Sequence, residues 1–391
     1  MLSNSAIDPA ALGANIAHAR KKLGLTQDAL ARQLGITRQT LITFESGQRM
    51  PADNQLKAIA DAVGSSLRDL LSLGSPDEAV SVRFRALRGA GEYKSALDTL
   101  EDYGRRYVFL EELANDRSVR REPPILRLDR VSNIERSADQ LATSERLRLG
   151  LGDGPLPELR KVLEEDVGLR IFGLTELQKT KVSGLFVYSR QYGALIGFNT
   201  GHDARRVRWT LCHEYCHYLT ERFEPEITRD DQIGRRDKRE QFADAFAARF
   251  LMPATGLSRR FTDMLEDANG TMTVAHLVML SQFFEVSFQA LVQRLEELEC
   301  ITKGTYAMLK ERGFKPREAE GILGLESRSA FERLPFRYTF LVATQYWQGK
   351  LSEGDVAVFM HTDRLSAREI IQKIPELGSD NDLNLRIGVP R

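Results

Sequence analysis

The chain has 391 residues, enough for two or three domains at roughly 100–200 residues each. Lys+Arg and Asp+Glu both number 55, which excludes a uniformly basic nucleic-acid coat and an acidic disordered tail but leaves room for a local basic patch. Three cysteines cannot build a disulfide scaffold, no apolar run approaches the length of a membrane span, and the first residues lack a signal-peptide pattern, so a soluble cytoplasmic protein is expected.

Residues 12–72 read as a run of short helices. Breaks fall at Gly24, Gly35, Gly47 and Gly64, and caps at Thr26, Thr37, Asp53 and Ser66. Residues 74–132 read as a helical and basic linker, extended at Pro123-Pro124. Its arginines, Arg105 to Arg130, can extend a nucleic-acid surface or form a solvated, salt-bridged face. Interleaved Glu111, Glu112, Asp116 and Glu122 favour the second. From Asn133 the texture changes. Helices are expected over 138–149 and 156–167, then three short strands at 169–174, 184–189 and 194–199. Helices follow at about 203–222, 237–251, 256–267, 273–282 and 287–298, and residues 301–391 carry further helical patterns without a chemical motif. The fold class is mainly α, α+β overall. It comprises an N-terminal five-helix module over 10–73, a domain over 133–300 with a small three-stranded sheet, and a helical C-terminal region.

The strongest chemical signal is His213-Glu214-Tyr215-Cys216-His217, an H-E-x-x-H in a stretch without Pro or Gly. Residues four apart on a helix share a face, so His213 and His217 can hold one Zn2+ ion. Glu214, one step round, can act as general base towards a metal-bound water. A catalytic zinc site takes a third protein ligand and keeps one position open. Glu240, on the next helix, supplies that ligand. Asp244, one turn on, suits the second ring N–H of a ligating histidine. The alternative for Glu240 and Asp244 is a solvated helix face. Cys212 and Cys216 interleave with the histidines but share a face turned away from them, so buried small thiols are expected rather than extra ligands. Cys300 can be a removable zinc ligand only by its presence. Tyr188 and Tyr192, near the strands, are the candidates for stabilising an oxyanion.

This region resembles the ImmA/IrrE family of zinc peptidases over about 133–300. The resemblance rests on Arg148-Leu149-Gly150-Leu151-Gly152 before Pro155, Asn199 ending a strand, the H-E-x-x-H, and Glu240-x-x-Ala243-x-x-Phe246-Ala247 leading to Leu251-Met252-Pro253. It implies a gluzincin-like fold, an edge strand that takes up an extended peptide, and a DNA-binding repressor as substrate in a stress response. The family usually has Ala at position 212 and a small residue at 216, where this chain has cysteine.

A second pattern, GLTQDALARQLGITRQTLITFESGQRMP, resembles the Xre/Cro-like helix-turn-helix family. Ala31, Gly35, Leu41 and Phe44 meet its packing and turn requirements. The resemblance implies that Thr37, Arg38, Gln39, Ile42 and Thr43 face bases and that Gln27 lies near a phosphate or base. Arg38 suits guanine and Gln39 adenine; Ile42 replaces a usual polar residue and can meet a thymine methyl. Over Leu12–Leu71 eight Lys/Arg face five Asp/Glu, a net +3, so one copy should bind operator DNA weakly and a homodimer is expected. A module kept only for protein contact is the alternative. The reading is a DNA-binding regulator with a zinc endopeptidase domain that cleaves a protein substrate, a transcriptional repressor in a stress response or in control of a mobile element or operon. The rival is a transcription factor or antitoxin-like repressor whose zinc domain senses or scaffolds without turnover.

Overall fold

The computed structural model describes residues 9–22, 25–63, 93–116, 122–128, 131–189, 191–222, 226–229, 238–325 and 331–373. The chain divides into two compact units, one of residues 1–86 with 189–191, the other of 87–188 and 192–391.

In the smaller unit four helices are described: Pro9–Lys22, Gln27–Gln33, Arg38–Glu45 and Asp53–Ala62. The fifth helix, expected from Ser66, lies outside the described residues. Thr26 and Thr37 cap their helices through the hydroxyl, each satisfying a backbone N–H of the first turn. The expected cap at Asp53 shifts by one: Ala52 is the N-cap, and Gln55 accepts from its backbone N–H. Leu12, Ile16, Leu30, Ala31, Leu41, Phe44, Leu56 and Ile59 form the core. Gly35 turns the chain between the second and third helices at φ +63°, a conformation that a Cβ would strain.

The larger unit is built on a four-stranded sheet. Strands β1 (Arg170–Leu174), β2 (Val182–Ser189), β3 (Gly193–Asn199) and β4 (Glu226–Arg229) lie in the order β1-β3-β2-β4. The three expected strands are present. The fourth lies between the helices expected at about 203–222 and 237–251, in a segment too short and too charged to show strand periodicity. β1 pairs parallel with β3, Phe172 opposite Gly197, and β4 pairs antiparallel with β2, Leu185 opposite Ile227. The outer side of β2 is therefore taken by the chain itself, and β1 and β4 are the edges among the described strands.

Alternation along β3 decides the layers. Ile196 and Phe198 join a core with Leu211, Tyr215 and Cys212 of helix Ala204–Glu221 and with Phe242, Phe246 and Phe250 of helix Lys238–Leu251. On the opposite face, Leu195 and Gly197 meet Gly104 and Leu100 of helix Lys94–Leu113. That helix is the helical part expected within 74–132, here packed on the sheet. Leu97, Leu100, Tyr103, Tyr107 and Leu110 recur at helical spacing and are all buried. Tyr103 stacks on Phe172 of β1 with ring centroids 4.5 Å apart, and Tyr338 closes edge-on at 5.6 Å from Phe172. The apolar run at 338–347 is thus a helix, Phe336–Trp347, whose aromatic face completes this second core. Two arginines of the supposed basic surface are paired: Arg106 with Asp102, and Arg105 within 3.9 Å of Glu101. No single described helix is long and apolar enough to cross a membrane.

Candidate functional site

Helix Ala204–Glu221 is started by Asp203, whose carboxylate accepts from the Arg206 N–H. It is held against helix Ile134–Arg148 by a buried polar knot. The Tyr215 hydroxyl donates to Glu145, and Arg148 donates both to Glu145 and to the Tyr215 oxygen, the latter at 3.1 Å. Nearby, the buried Arg146 guanidinium donates to the carbonyls of Gly152, Gly154 and Phe250, fixing the glycine-rich turn to the end of helix Lys238–Leu251. Asn199 ends β3 by donating to the carbonyls of Leu177 and Val182 and accepting from the Gly201 N–H. These bonds leave the two site-bearing helices little freedom to slide.

The sequence-expected ligands meet. His213 Nε2 lies 3.3 Å from Glu240 Oε2 and His217 Nε2 lies 3.3 Å from Glu240 Oε1. The two Nε2 atoms are 3.1 Å apart. Ligand atoms on a tetrahedral zinc with bonds of 2.0–2.1 Å sit roughly 3.3–3.4 Å from one another. The two 3.3 Å contacts end on different oxygens of the Glu240 carboxylate, and one donor atom from each of the three residues lies within 4.8 Å of the other two, close enough to share one ion. Among the described residues this is the one group of three or more His, Cys, Asp or Glu side chains so placed. Glu240 Oε1 is buried without a hydrogen-bond partner, an acceptor that a cation would satisfy.

Electrostatics agree with a cation site. Burial lowers the proton affinity of His213, but Asp244 and Glu240 outweigh it and push the ring up to about 9. At His217 burial is outweighed by Glu221 and Glu240, which push it up to about 10. Burial would raise the Glu240 carboxyl, but the two histidines beside it hold it well below the usual carboxylate range. Without metal the trio is an ion-pair cluster; binding a metal means releasing protons from the histidine pair.

Asp244 Oδ1 lies 3.0 Å from His213 Nδ1 and accepts from Trp209 Nε1 at 3.2 Å. That is the outer position expected for it, with Trp209 an addition that no short motif marks. Glu214 is wholly buried, at 0% exposure. A Cβ on Gly184 of β2 would meet its Oε1 and the Thr210 methyl, so glycine at 184 is what lets β2 pass so close to Glu214. Sequence reading saw Gly184 only as the start of a strand. Glu221 and Arg239 were also missed. Cys212 and Cys216 are buried and stand outside the ligand triangle, and burial pushes the Cys212 thiol up to about 12. Cys300 Sγ lies 3.7 Å from Ser258 Oγ. The Tyr188 hydroxyl donates to Glu122, and Tyr192 packs on the Gly104 side of the sheet, so neither is shown serving an oxyanion.

In the smaller unit the recognition-helix positions divide. Thr37, Arg38 and Gln39 are exposed; Ile42 and Thr43 are half-buried. The Thr37 oxygen is engaged as the helix cap, and Thr43 donates to the Thr40 carbonyl at 2.7 Å. Gln27 donates to Glu45 at 2.8 Å, and Arg20 clamps the same carboxylate at 2.6 and 3.0 Å, so Gln27, at the start of its helix, is tied to the end of helix Arg38–Glu45.

Residues 165–296 match the peptidase family M78, described as the IrrE N-terminal-like domain, and residues 16–70 match the helix-turn-helix family. The chain joins a helix-turn-helix domain to an M78 peptidase-family domain. A 45-residue stretch is 49% identical to an uncharacterized HTH-type transcriptional regulator of Methanothermobacter thermautotrophicus, covering 12% of this chain and 65% of that protein. The match thus spans less than two-thirds of the relative's own length. Among solved structures, ComR from Streptococcus suis aligns at 11% identity over 93% of this chain and 87% of its own, with a TM-score of 0.16. The apo competence regulator ComR from Streptococcus vestibularis aligns at 14% identity over 82% of this chain and 100% of its own, also at 0.16. Scores of this size do not establish a shared fold. The M78 match encloses all three ligand positions, Glu214 and Asp244.

Proposed function

We propose that this chain is a DNA-binding regulator whose M78 domain, within residues 133–300, is a zinc-dependent endopeptidase acting on a protein substrate. A transcriptional repressor is the substrate class that the family resemblance favours. Residues 10–73 serve as the operator-binding module, presenting Arg38 and Gln39 to base edges. The observation that carries the reading is the meeting of His213, His217 and Glu240, whose donor atoms lie within 4.8 Å of one another, with the buried carboxylate of Glu214 on the helix of the two histidines.

Zinc held there supplies a Lewis acid for the scissile carbonyl and brings a water towards neutral pKa. The chain's own residues do the remaining work. His213 and His217 bind through Nε2, and Asp244 keeps the proton of His213 on Nδ1. Glu214 takes a proton from the attacking water as the C–O bond forms and delivers it to the amine as the C–N bond breaks. β2 and the chain around Glu214 exclude bulk water from that transfer. An extended substrate meets the sheet on the β4 side, the outer strand nearest β2.

The test compares wild type with His217→Ala and Glu214→Gln. About one zinc per chain is expected in wild type and in Glu214→Gln, and none in His217→Ala. Cleavage of a candidate repressor is expected in wild type alone, with operator binding retained in all three. Absence of zinc from metal-replete wild type would overturn the peptidase reading. One observation favours the rival, a metal-holding sensor without turnover: Glu214 and both histidines are at most 2% exposed. Zinc binding with no cleavage of any repressor, and no difference between wild type and Glu214→Gln, would decide for it.

A further inference from the structure

Both histidines turn Nε2 towards Glu240, so each Nδ1 faces outward and requires an acceptor if the ring is to stay in one tautomer. For His213 that acceptor is Asp244. For His217 the facing group is Glu221, one turn on along the same helix, with its Oε2 3.8 Å from His217 Nδ1. Glu221 is no loose surface acid. Its side chain is 13% exposed, and its other oxygen is anchored 2.9 Å from Arg239 Nε. The oxygen turned inward is buried and has no hydrogen-bond partner among the described residues. A buried carboxylate oxygen without a donor, aimed at a ring nitrogen, is costly unless that nitrogen carries the proton. The remaining gap is under ~1 Å beyond hydrogen-bond range, well within the reach of a side chain with three rotatable bonds.

We propose that Glu221 is the positioning residue for His217, holding the Nδ1 proton so that Nε2 stays free for the metal. The inference rests on the metal-centre reading above. Arg239 gives it a second consequence. It is the residue before Glu240, so the Glu221–Arg239 pair ties the end of the H-E-x-x-H helix to the start of the helix that brings the third ligand. The centre then has two outer carboxylates in matched roles. Asp244 is steadied by the Trp209 indole and Glu221 by the Arg239 guanidinium.

The test uses the full chain with Glu221→Ala, Glu221→Gln and Arg239→Ala. Zinc affinity is read by competition with a chromophoric chelator, and the visible spectrum of the cobalt(II)-substituted protein reports the ligand field. Loss of an outer-sphere partner is expected to weaken zinc binding by about 10–100-fold in Glu221→Ala. Glu221→Gln, whose amide oxygen can still accept from Nδ1–H, should recover part of that, and both should shift the cobalt bands. Arg239→Ala should weaken zinc by a smaller factor. A purely structural role would lower the melting temperature of the metal-free protein and leave the cobalt spectrum of the loaded protein unchanged. One zinc in wild type with equal affinity and an identical cobalt spectrum in Glu221→Ala would overturn the role of Glu221 alone. A wild type that takes up neither metal would overturn the site reading, and this inference with it, before any variant is compared.

Discussion

Replacing Gly184 with alanine tests whether the β2 backbone fixes Glu214. The added methyl would stand 2.6 Å from Thr210 Cγ2 and closer still to Glu214 Oε1. Real Cβ atoms essentially never approach within 3.0 Å, so at least 0.4 Å, the difference from 2.6 Å, must be found at Thr210 and more at Glu214. Neither neighbour is free to give: both sit on the buried H-E-x-x-H helix, which is locked to helix Ile134–Arg148 through Tyr215, Glu145 and Arg148. Overpacking of this kind costs about 1–3 kcal/mol. Displacing a catalytic group by ~1 Å costs about 100-fold in rate. The assay is a double-mutant cycle on chemical or thermal unfolding of the metal-free protein, using Gly184→Ala, Glu214→Ala and the pair. Removing the carboxylate relieves the closest clash, so the pair should be more stable than the sum of the singles by about 0.5–3 kcal/mol. Additive destabilisation, or a Gly184→Ala protein with wild-type stability and wild-type cleavage, would refute the idea that β2 positions the base.

Other outcomes follow from the same geometry. Zinc affinity should rise as pH climbs from neutral towards about 9–10, because the histidine pair, pushed up to about 9 and about 10, must shed protons to bind; affinity independent of pH over that range would contradict the cluster. In the metal-free protein the same pair contributes stability that is complete below the unfolded histidine value of 6.5 and lost as pH rises through about 9–10. Glu240, depressed in the fold, contributes stability present above its ordinary 4.5 and lost on acidification, so metal-free melting should peak between these limits. Arg146→Met should destabilise the larger unit by on the order of 3 kcal/mol, since three carbonyls lose their donor, and a melt of the metal-free protein measures it. Arg38→Ala and Gln39→Ala should each weaken operator binding by about 1–3 kcal/mol relative to non-specific DNA in fluorescence anisotropy, while equal losses on both DNAs would leave them as phosphate contacts.

Local chemistry was legible in the sequence wherever one helix carries it. The i, i+4 spacing of His213 and His217, the threonine caps at Thr26 and Thr37, and the Phe/Ala rhythm of 242–250 depend only on helical geometry, and each appears as expected. Glu240 and Asp244 were legible because they too are one turn apart, on a helix whose apolar face forces the pair towards the core. Contacts between distant segments were not legible. Glu221 looks like an ordinary surface acid until Arg239 and His217 are placed beside it. Gly184 is one strand glycine among many until Glu214 packs against its α-carbon. The stretch 94–113 read as a helical part of a linker because its charged residues interleave with the apolar ones and no motif marks what the apolar face meets. What fixes it is the stripe of Leu97, Leu100, Tyr103 and Tyr107, which acquires meaning only with Phe172 and Tyr338 opposite. Sequence periodicity reports which face of an element is apolar. Which partner that face meets is set by tertiary packing, where shape and burial across the whole unit select one arrangement.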